Sequence, residues 1–176
     1  MHLFRRTYGV CLLSLALVLA LAGAGWAQTA TPPAPASASP YRQAVEHLEQ
    51  AEQELTAGNL SSALSLVKQS NALFTGLQKE GAAKLAEREL SAKESEQLAI
   101  NQKLATEVQT KADELLKTAA AKKKEAADLN AKGQTEAGEA AERESRDQYL
   151  QAQNLSIKSA IYALRNQQII FRFLAP

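Results

Sequence analysis

The sequence predicts an all-α fold: an elongated helical bundle or coiled-coil hairpin of three to four helices. Proline is absent from residues 41–175, and an interior proline would cost a helix about 3 kcal/mol. Apolar residues recur there at alternating spacings of three and four, which places them on one face of a helix. Aromatic residues make up only 5% of the chain, so alanine and leucine must supply most of the core.

Residues 1–27 are predicted to be a secretory signal peptide. Basic side chains precede an apolar run at residues 10–22, and Gly25 and Ala27 then fit the small-x-small cleavage rule. The run is shorter than the roughly 20 residues of a spanning helix, although counting all of residues 8–27 leaves open an uncleaved membrane anchor. The Ala- and Leu-rich composition is typical of bacterial leaders, which predicts a periplasmic or secreted protein.

The first half of the remaining chain reads as a linker followed by a helical hairpin. Residues 28–40 are predicted to be a disordered Pro/Ala/Ser linker, because this composition buries too little apolar surface to fold. The helical domain is predicted to span residues 41–176. Its first two helices are expected at residues 41–57 and 60–78, joined by a Gly-Asn turn. Their apolar positions are Ala44, Leu48, Ala51 and Leu55, then Leu60, Leu64, Val67, Phe74 and Leu77.

The second half predicts two longer helices, at residues 82–131 and 136–172, with Gly133 in the turn between them. Gly76 and Gly81 bracket a break before the third helix, and the pattern leaves open one bent helix there. Fifty residues of helix would be about 75 Å long, which predicts an elongated molecule. The seam of the third helix is Leu98, Ala105, Val108, Ala112, Leu115, Ala119, Ala126 and Leu129, and the stripe of the fourth is Leu150, Ile157, Ile161, Leu164 and Phe171.

Charge favours antiparallel pairing of the third and fourth helices. Residues 117–132 hold five lysines against two acids, and residues 134–148 hold five acids against two arginines. Each exposed pair is worth under about 1 kcal/mol, but the match of sign selects the partner. No aromatic residue lies within residues 75–148. Bulky side chains are therefore expected at one end, where the first hairpin meets the last part of the fourth helix.

The composition offers few groups for chemistry, and we expect no enzyme, cofactor or metal site. The only cysteine, Cys11, lies in the predicted leader, and His47 is the only histidine outside it. One histidine without a cysteine supplies neither a zinc site nor a hydrolytic triad, so His47 is expected to be a surface or boundary residue. Loss of Arg5 and Arg6 with the leader would leave 18 basic against 19 acidic side chains. This near balance argues against a nucleic-acid partner.

The segment at residues 55–64 resembles the turn of a tetratricopeptide-type helical hairpin. Its Gly-Asn turn is followed by the small residue Ala63, five positions after the glycine, and then by Val67 and Ser70 at the next packing positions. The resemblance implies a close helical hairpin and carries no binding residue.

The turn at Gly133 has a similar spacing, with Gly138 and Ser145 behind it, but Glu142 occupies the apolar position. The distance along the chain from Gly58 to Gly133 is more than twice the repeat length of that family, so the resemblance implies the hairpin geometry without the repeat array. The chain also resembles small exported bacterial Ala-rich helical proteins of unassigned function.

The apolar chain end supplies the candidate site. The candidate partner-binding residues are Ile169, Ile170, Phe171, Phe173 and Leu174, because an apolar segment of this kind must be covered by something. The same residues also fit the end of the core stripe, tucked against the first helix.

These observations lead us to expect a non-enzymatic, exported helical interaction or scaffold protein of the bacterial cell envelope. Its partner would be a protein, either a second copy or another envelope protein. The alternative is a peripheral lipid-binding amphipathic helical protein, which would contact a membrane through an uncleaved leader or through the apolar tail.

Overall fold

The computed structural model describes residues 39–174, and every element in this range is helical. The prediction of an all-α helical bundle is confirmed. The predicted leader (1–27), residues 28–38 of the predicted linker and residues 175–176 lie outside the described part. The helices are α1 Pro40–Thr56, α2 Leu60–Glu80, α3 Ala82–Glu87, α4 Ala92–Ala131 and α5 Thr135–Phe171, followed by a 3-10 turn at Arg172–Leu174.

The first helix begins within the range that the sequence assigned to the linker. Pro40 is the first residue of α1, a position where its missing N–H group is not needed and its fixed φ suits a helix. The side chain of Ser39 caps the helix by accepting a hydrogen bond from the N–H of Arg42 at 3.3 Å. The helix therefore starts at the boundary between the predicted linker and the predicted helical domain.

The prediction of one helix across residues 82–131 is wrong. Helix α3 ends at Glu87, the backbone of Arg88 is extended (φ −77°, ψ 127°), and α4 begins after Ser91. The cause is a capping box. The Ser91 hydroxyl accepts from the N–H of Glu94 at 3.2 Å, and the Glu94 carboxylate accepts from the N–H of Ser91 at 3.0 Å. These bonds satisfy backbone N–H groups that the start of a helix leaves free, so a new helix starts here.

Helices α1 and α2 form an antiparallel hairpin with small residues along its seam. Ala44, Ala51 and Ala63 are fully buried, and the Ser70 hydroxyl donates to the carbonyl oxygen of Ala44 at 2.8 Å. A serine side chain is short, so this bond requires the two helix backbones to lie close together. Small side chains at the contact permit that approach.

Helices α4 and α5 form a second, longer antiparallel hairpin whose buried seam positions recur at every seventh residue. These seam positions are Ala105, Ala112, Ala119 and Ala126 on α4, and Gly138, Ser145, Ala152, Ser159 and Asn166 on α5; Asn101 and Ala141 are buried beside them. Three side chains of α5 donate to backbone carbonyls of α4: Ser145 to Ala119 at 2.8 Å, Ser159 to Ala105 at 2.9 Å and Asn166 to Leu98 at 3.3 Å. With 40 residues, α4 is about 60 Å long.

These three bonds fix the register of the second hairpin. Each lies one or two heptad steps from the next on both helices, which places Ala112 opposite Ala152 and Ala126 opposite Gly138. At Gly138 an added Cβ would lie 2.0 Å from Oδ1 of Asn130. The asparagine therefore occupies the space that a larger seam residue would need.

The turns of the two hairpins have the same backbone structure. Gly58 (φ 82°) and Gly133 (φ 73°) adopt the left-handed conformation, which glycine reaches without the steric cost of a Cβ. The residue after each glycine donates its N–H five positions back, from Asn59 to Glu54 at 2.9 Å and from Gln134 to Leu129 at 3.0 Å. The seam serines Ser70 and Ser145 follow their respective turn glycines at the same offset.

Helix α5 packs against α4 on one side and against the first hairpin, α1 and α2, on the other. Ile157 and Leu164 each follow a seam residue by five positions, a rotation of about 140° around the helix, so they face away from α4. Both are buried in the main core with residues of α1 and α2. Phe74 stacks on Phe171 with centroids 6.0 Å apart and meets the edge of Tyr41 at 6.4 Å. This part of the molecule has a wide aromatic core, whereas the α4–α5 seam is narrow.

Leu150 departs from the predicted core stripe. It lies one heptad step before Ile157 on the same face of α5, but it is 55% exposed. The first hairpin contacts α5 nearer its end, where the Tyr41 hydroxyl donates to the carbonyl oxygen of Gln168 at 3.2 Å and Glu52 pairs with Arg165. The apolar stripe of α5 therefore begins earlier in the sequence, at Leu150, than the part of α5 that the first hairpin covers.

Candidate interaction surface

The predicted tail residues divide between the core and the surface. Phe171 is 1% exposed and stacks on Phe74, so in this structure it stabilises the core and cannot touch a partner. Ile170 and Leu174 are half-buried against the same core. Ile169 is half-buried, and Phe173 is 37% exposed. The accessible part of the predicted site is thus centred on Phe173.

Arg88 holds the end of α5, and sequence reasoning did not single it out. Its guanidinium donates to the carbonyl oxygen of Ile169 at 2.8 Å and to that of Ile170. It also pairs with Glu94 at 2.6 Å and lies over the Phe173 ring, 5.4 Å from the centroid. The carbonyls at the end of a helix lack helical donors, and a cation there also interacts favourably with the helix dipole.

Glu94 is oriented by Ser91 as well as by Arg88. Hydrogen bonds from the backbone and the hydroxyl of Ser91 lower the pKa of the Glu94 carboxyl, with a smaller contribution from Arg88. The capping box therefore keeps this carboxylate charged and directed towards the guanidinium. The Ser-x-x-Glu pattern at residues 91–94 was the sequence signal that could have located this corner of the molecule.

A row of accessible apolar side chains, here called the lateral band, runs along one side of the second hairpin. Leu155, Tyr162 and Ile169 each follow a seam residue of α5 by three positions, and Val108 stands in the same relation to Ala105 on α4. Leu104 and Ile100 precede Val108 by four and eight residues, which places them about 40° and 80° further round α4, so the row turns towards the outer face of the helix at Ile100. The lateral band consists of Ile100, Leu104, Val108, Leu155, Tyr162 and Ile169, all half-buried except Ile100, which is 44% exposed.

The lateral band ends towards the turn at an ionic cluster. Lys122 lies three positions after a seam alanine, on the side of the hairpin that carries the band. It bridges Glu125 at 3.0 Å and, across the two helices, Glu144 at 3.2 Å. Hydrogen bonds and attraction from these two carboxylates raise the pKa of Lys122. This bridge joins the oppositely charged segments that the sequence predicts to pair.

Two further large apolar residues are exposed away from the band. Tyr149 and Leu150 are 37% and 55% exposed on α5. The first hairpin offers a comparison, because Tyr149 follows Gly133 at the same offset at which Phe74 follows Gly58. Phe74 is covered by Phe171, whereas Tyr149 is partly open to solvent.

The described residues bring few reactive groups together. His47 is half-buried, and its Nδ1 has no hydrogen-bond partner. Within residues 39–174, no group of three or more His, Cys, Asp or Glu side chains is arranged to hold a metal ion. A shallow cavity of about 290 Å³ lies where α1 begins, α2 ends and the tail passes; it is lined by Ser39, Pro40, Tyr41, Leu77, Glu80, Gly81, Lys84 and Leu174.

Comparisons of the chain with protein-family models, with curated proteins and with solved structures found no match. Among the described helices, none combines the length and apolarity that crossing a membrane requires.

Proposed function

We propose that this chain is a non-enzymatic, exported interaction or scaffold protein of the bacterial cell envelope, and that its lateral band contacts another protein. The observation that carries the proposal is the band itself, with the exposed Ile100 on a helix whose other exposed residues are charged, polar or alanine. A large exposed aliphatic side chain flanked by half-buried ones is typical of a contact surface.

The narrow seam beneath the band supports this proposal. Ala105 and Ala112 are buried against α5, and Ser159 donates to the carbonyl oxygen of Ala105 at 2.9 Å. The side chains above them stand on two helices held in one register, so little conformational entropy would be lost on binding. A scaffold that presents a preorganised surface needs no catalytic group.

Site-specific photo-crosslinking tests the proposal. A photoreactive amino acid at Ile100 is expected to give discrete adducts in the cell envelope. The matched control is Glu114, which is exposed and lies two heptad steps further along the same face of α4. An adduct at twice the mass of the chain would identify a second copy as the partner, and another mass would identify a different envelope protein. Equal crosslinking from the two positions, or none from Ile100, would refute the proposal.

The alternative function is peripheral lipid binding through the tail. Phe173 is 37% exposed, and Arg172 precedes it in the same 3-10 turn. An aromatic ring beside a basic residue suits the boundary between lipid head groups and acyl chains. Flotation with neutral and with anionic vesicles tests this alternative, with Phe173→Ser as the matched variant. Full-length protein that stays with neither vesicle, or that floats equally well with the substitution, excludes it.

A further inference from the structure

Two segments that are far apart in sequence meet at one side chain. The first is the α3–α4 connection, residues 88–91, and the second is the tail, residues 169–174. Arg88 belongs to the connection, yet its guanidinium bonds two backbone carbonyls of the tail and lies over the ring of Phe173. The contact between them is therefore long-range in the chain, and Arg88 supplies its polar bonds.

The environment of Arg88 fixes this arrangement. Its side chain is only 14% exposed, and the paired carboxylate of Glu94 is 25% exposed. The capping box with Ser91 holds that carboxylate in place. Because charge-assisted hydrogen bonds are stronger than neutral ones, the guanidinium is the main polar fastening of the tail to the rest of the molecule.

Apart from residues 169–171, which belong to α5, both segments have little structure of their own and depend on this contact. Helix α3 has 6 residues, and a helix of that length is unstable without tertiary contacts. The tail ends in a 3-10 turn of 3 residues with none of its side chains fully buried. Leu85 of α3 and Leu174 of the tail rest on the edge of the same core.

We propose that α3, the α3–α4 connection and the part of the tail beyond Phe171 form one latch, which opens as a unit with Arg88 as its fastener. Opening is local: the wide core, including Phe171, and the second hairpin keep their structure, while residues 172–174 and the carbonyls of Ile169 and Ile170 are released from Arg88. In so far as the proposed function holds, a partner that covers the lateral band up to Ile169 and also takes the adjoining Phe173 ring from Arg88 loosens α3. The effect is reciprocal because the two segments share one opening equilibrium.

Hydrogen–deuterium exchange on the full chain tests the latch. Arg88→Ala is expected to raise the exchange of amides in residues 83–91 and 172–174 together, by about tenfold or more, as expected for the loss of charge-assisted hydrogen bonds. Arg88→Lys keeps the charge but lacks the guanidinium fork, so its effect should be intermediate. Arg143→Ala is the matched control, because Arg143 makes an exposed ion pair with Glu139 at 3.7 Å.

Three outcomes would overturn the latch. The substitution could accelerate exchange in only one of the two segments, accelerate it in neither, or act no more strongly than the Arg143 control. The unsubstituted protein gives a second test that does not depend on the variant folding. In low concentrations of urea its two segments should show one opening free energy and one urea dependence, and different values would refute a common opening. Neither experiment requires a partner, so a negative crosslinking result at Ile100 leaves this test unaffected.

Discussion

Replacing Ala112 with leucine tests whether the narrow seam between α4 and α5 has room for a larger side chain. Ala112 and Ala152 are both fully buried and face each other in the second hairpin. Leucine adds three carbon atoms to a contact where neighbouring serine hydroxyls already reach the opposite backbone at 2.8 and 2.9 Å. The added atoms have no free space unless the helices move apart.

The expected cost follows from these contacts. Overpacking alone costs about 1–3 kcal/mol. If the helices separate instead, the two serine bonds one step to either side weaken, and each is worth about 0.5–1.5 kcal/mol. Either route destabilises the protein by roughly 1–3 kcal/mol. At about 2–4 °C per kcal/mol for a chain of this size, the midpoint of thermal unfolding should fall by roughly 2–12 °C.

Urea and thermal unfolding followed by circular dichroism measure the effect. The control is Ala121→Leu, the same substitution at an exposed position of α4, where a change of no more than about 0.5 kcal/mol is expected. The reasoning about the seam would be refuted by equal unfolding midpoints for the two variants.

Three further tests address separate parts of the structure. Gly133→Ala places a Cβ at φ 73° and should destabilise the protein by about 1 kcal/mol. Gly76→Ala lies inside α2, with nothing within 4 Å of the added atom, and should stabilise the protein by roughly 0.5–1 kcal/mol. Equal effects of the two substitutions in urea unfolding would contradict the turn assignment. Phe171→Ala should lower the free energy of unfolding by about 3–5 kcal/mol, and Phe173→Ala should lower it far less. The reverse order would mean that Phe173, not Phe171, anchors the tail. The raised pKa of Lys122 means that the folded state binds the lysine proton more tightly than the unfolded chain does. The resulting stabilisation is complete below the ordinary pKa of 10.5 and is lost as pH rises through the pKa of the folded state. Lys122→Gln should therefore reduce the loss of stability on alkaline unfolding, and an unchanged pH profile would show that the bridge is not formed.

The hairpins could be predicted because their signals are local. Gly58 and Gly133 are needed where the chain turns through the left-handed region, and the small residues on either side recur at helical spacing. The break at residues 88–91 is equally local, yet it was missed. Leucines and alanines continue through this segment at a spacing compatible with one helix, and the competing signal is a single hydroxyl, Ser91, three positions before Glu94. Capping outweighed apolar periodicity there.

The site was harder to predict because it depends on long-range packing. The sequence marks residues 169–174 as apolar but not which of them face inward. That is decided by where the first hairpin lies on α5, through contacts such as that of Tyr41 with the distant Gln168. The role of Arg88 also rests on such contacts. The lateral band was partly visible, since Val108 appears in the predicted seam, but the register of the two helices was required to show that it lies at the edge.

The heptad spacing of the seam also makes the length of the second hairpin adjustable in fixed steps. Deleting residues 113–119 from α4 and 145–151 from α5 would remove one matched layer, and Ala112 would again face Ala152 with the turn at Gly133 intact. Each step changes the reach of the hairpin by about 10 Å and leaves every contact of the wide core in place. Spacers of graded length could therefore be cut from a single sequence, with the distance between the turn and the first hairpin as the only variable.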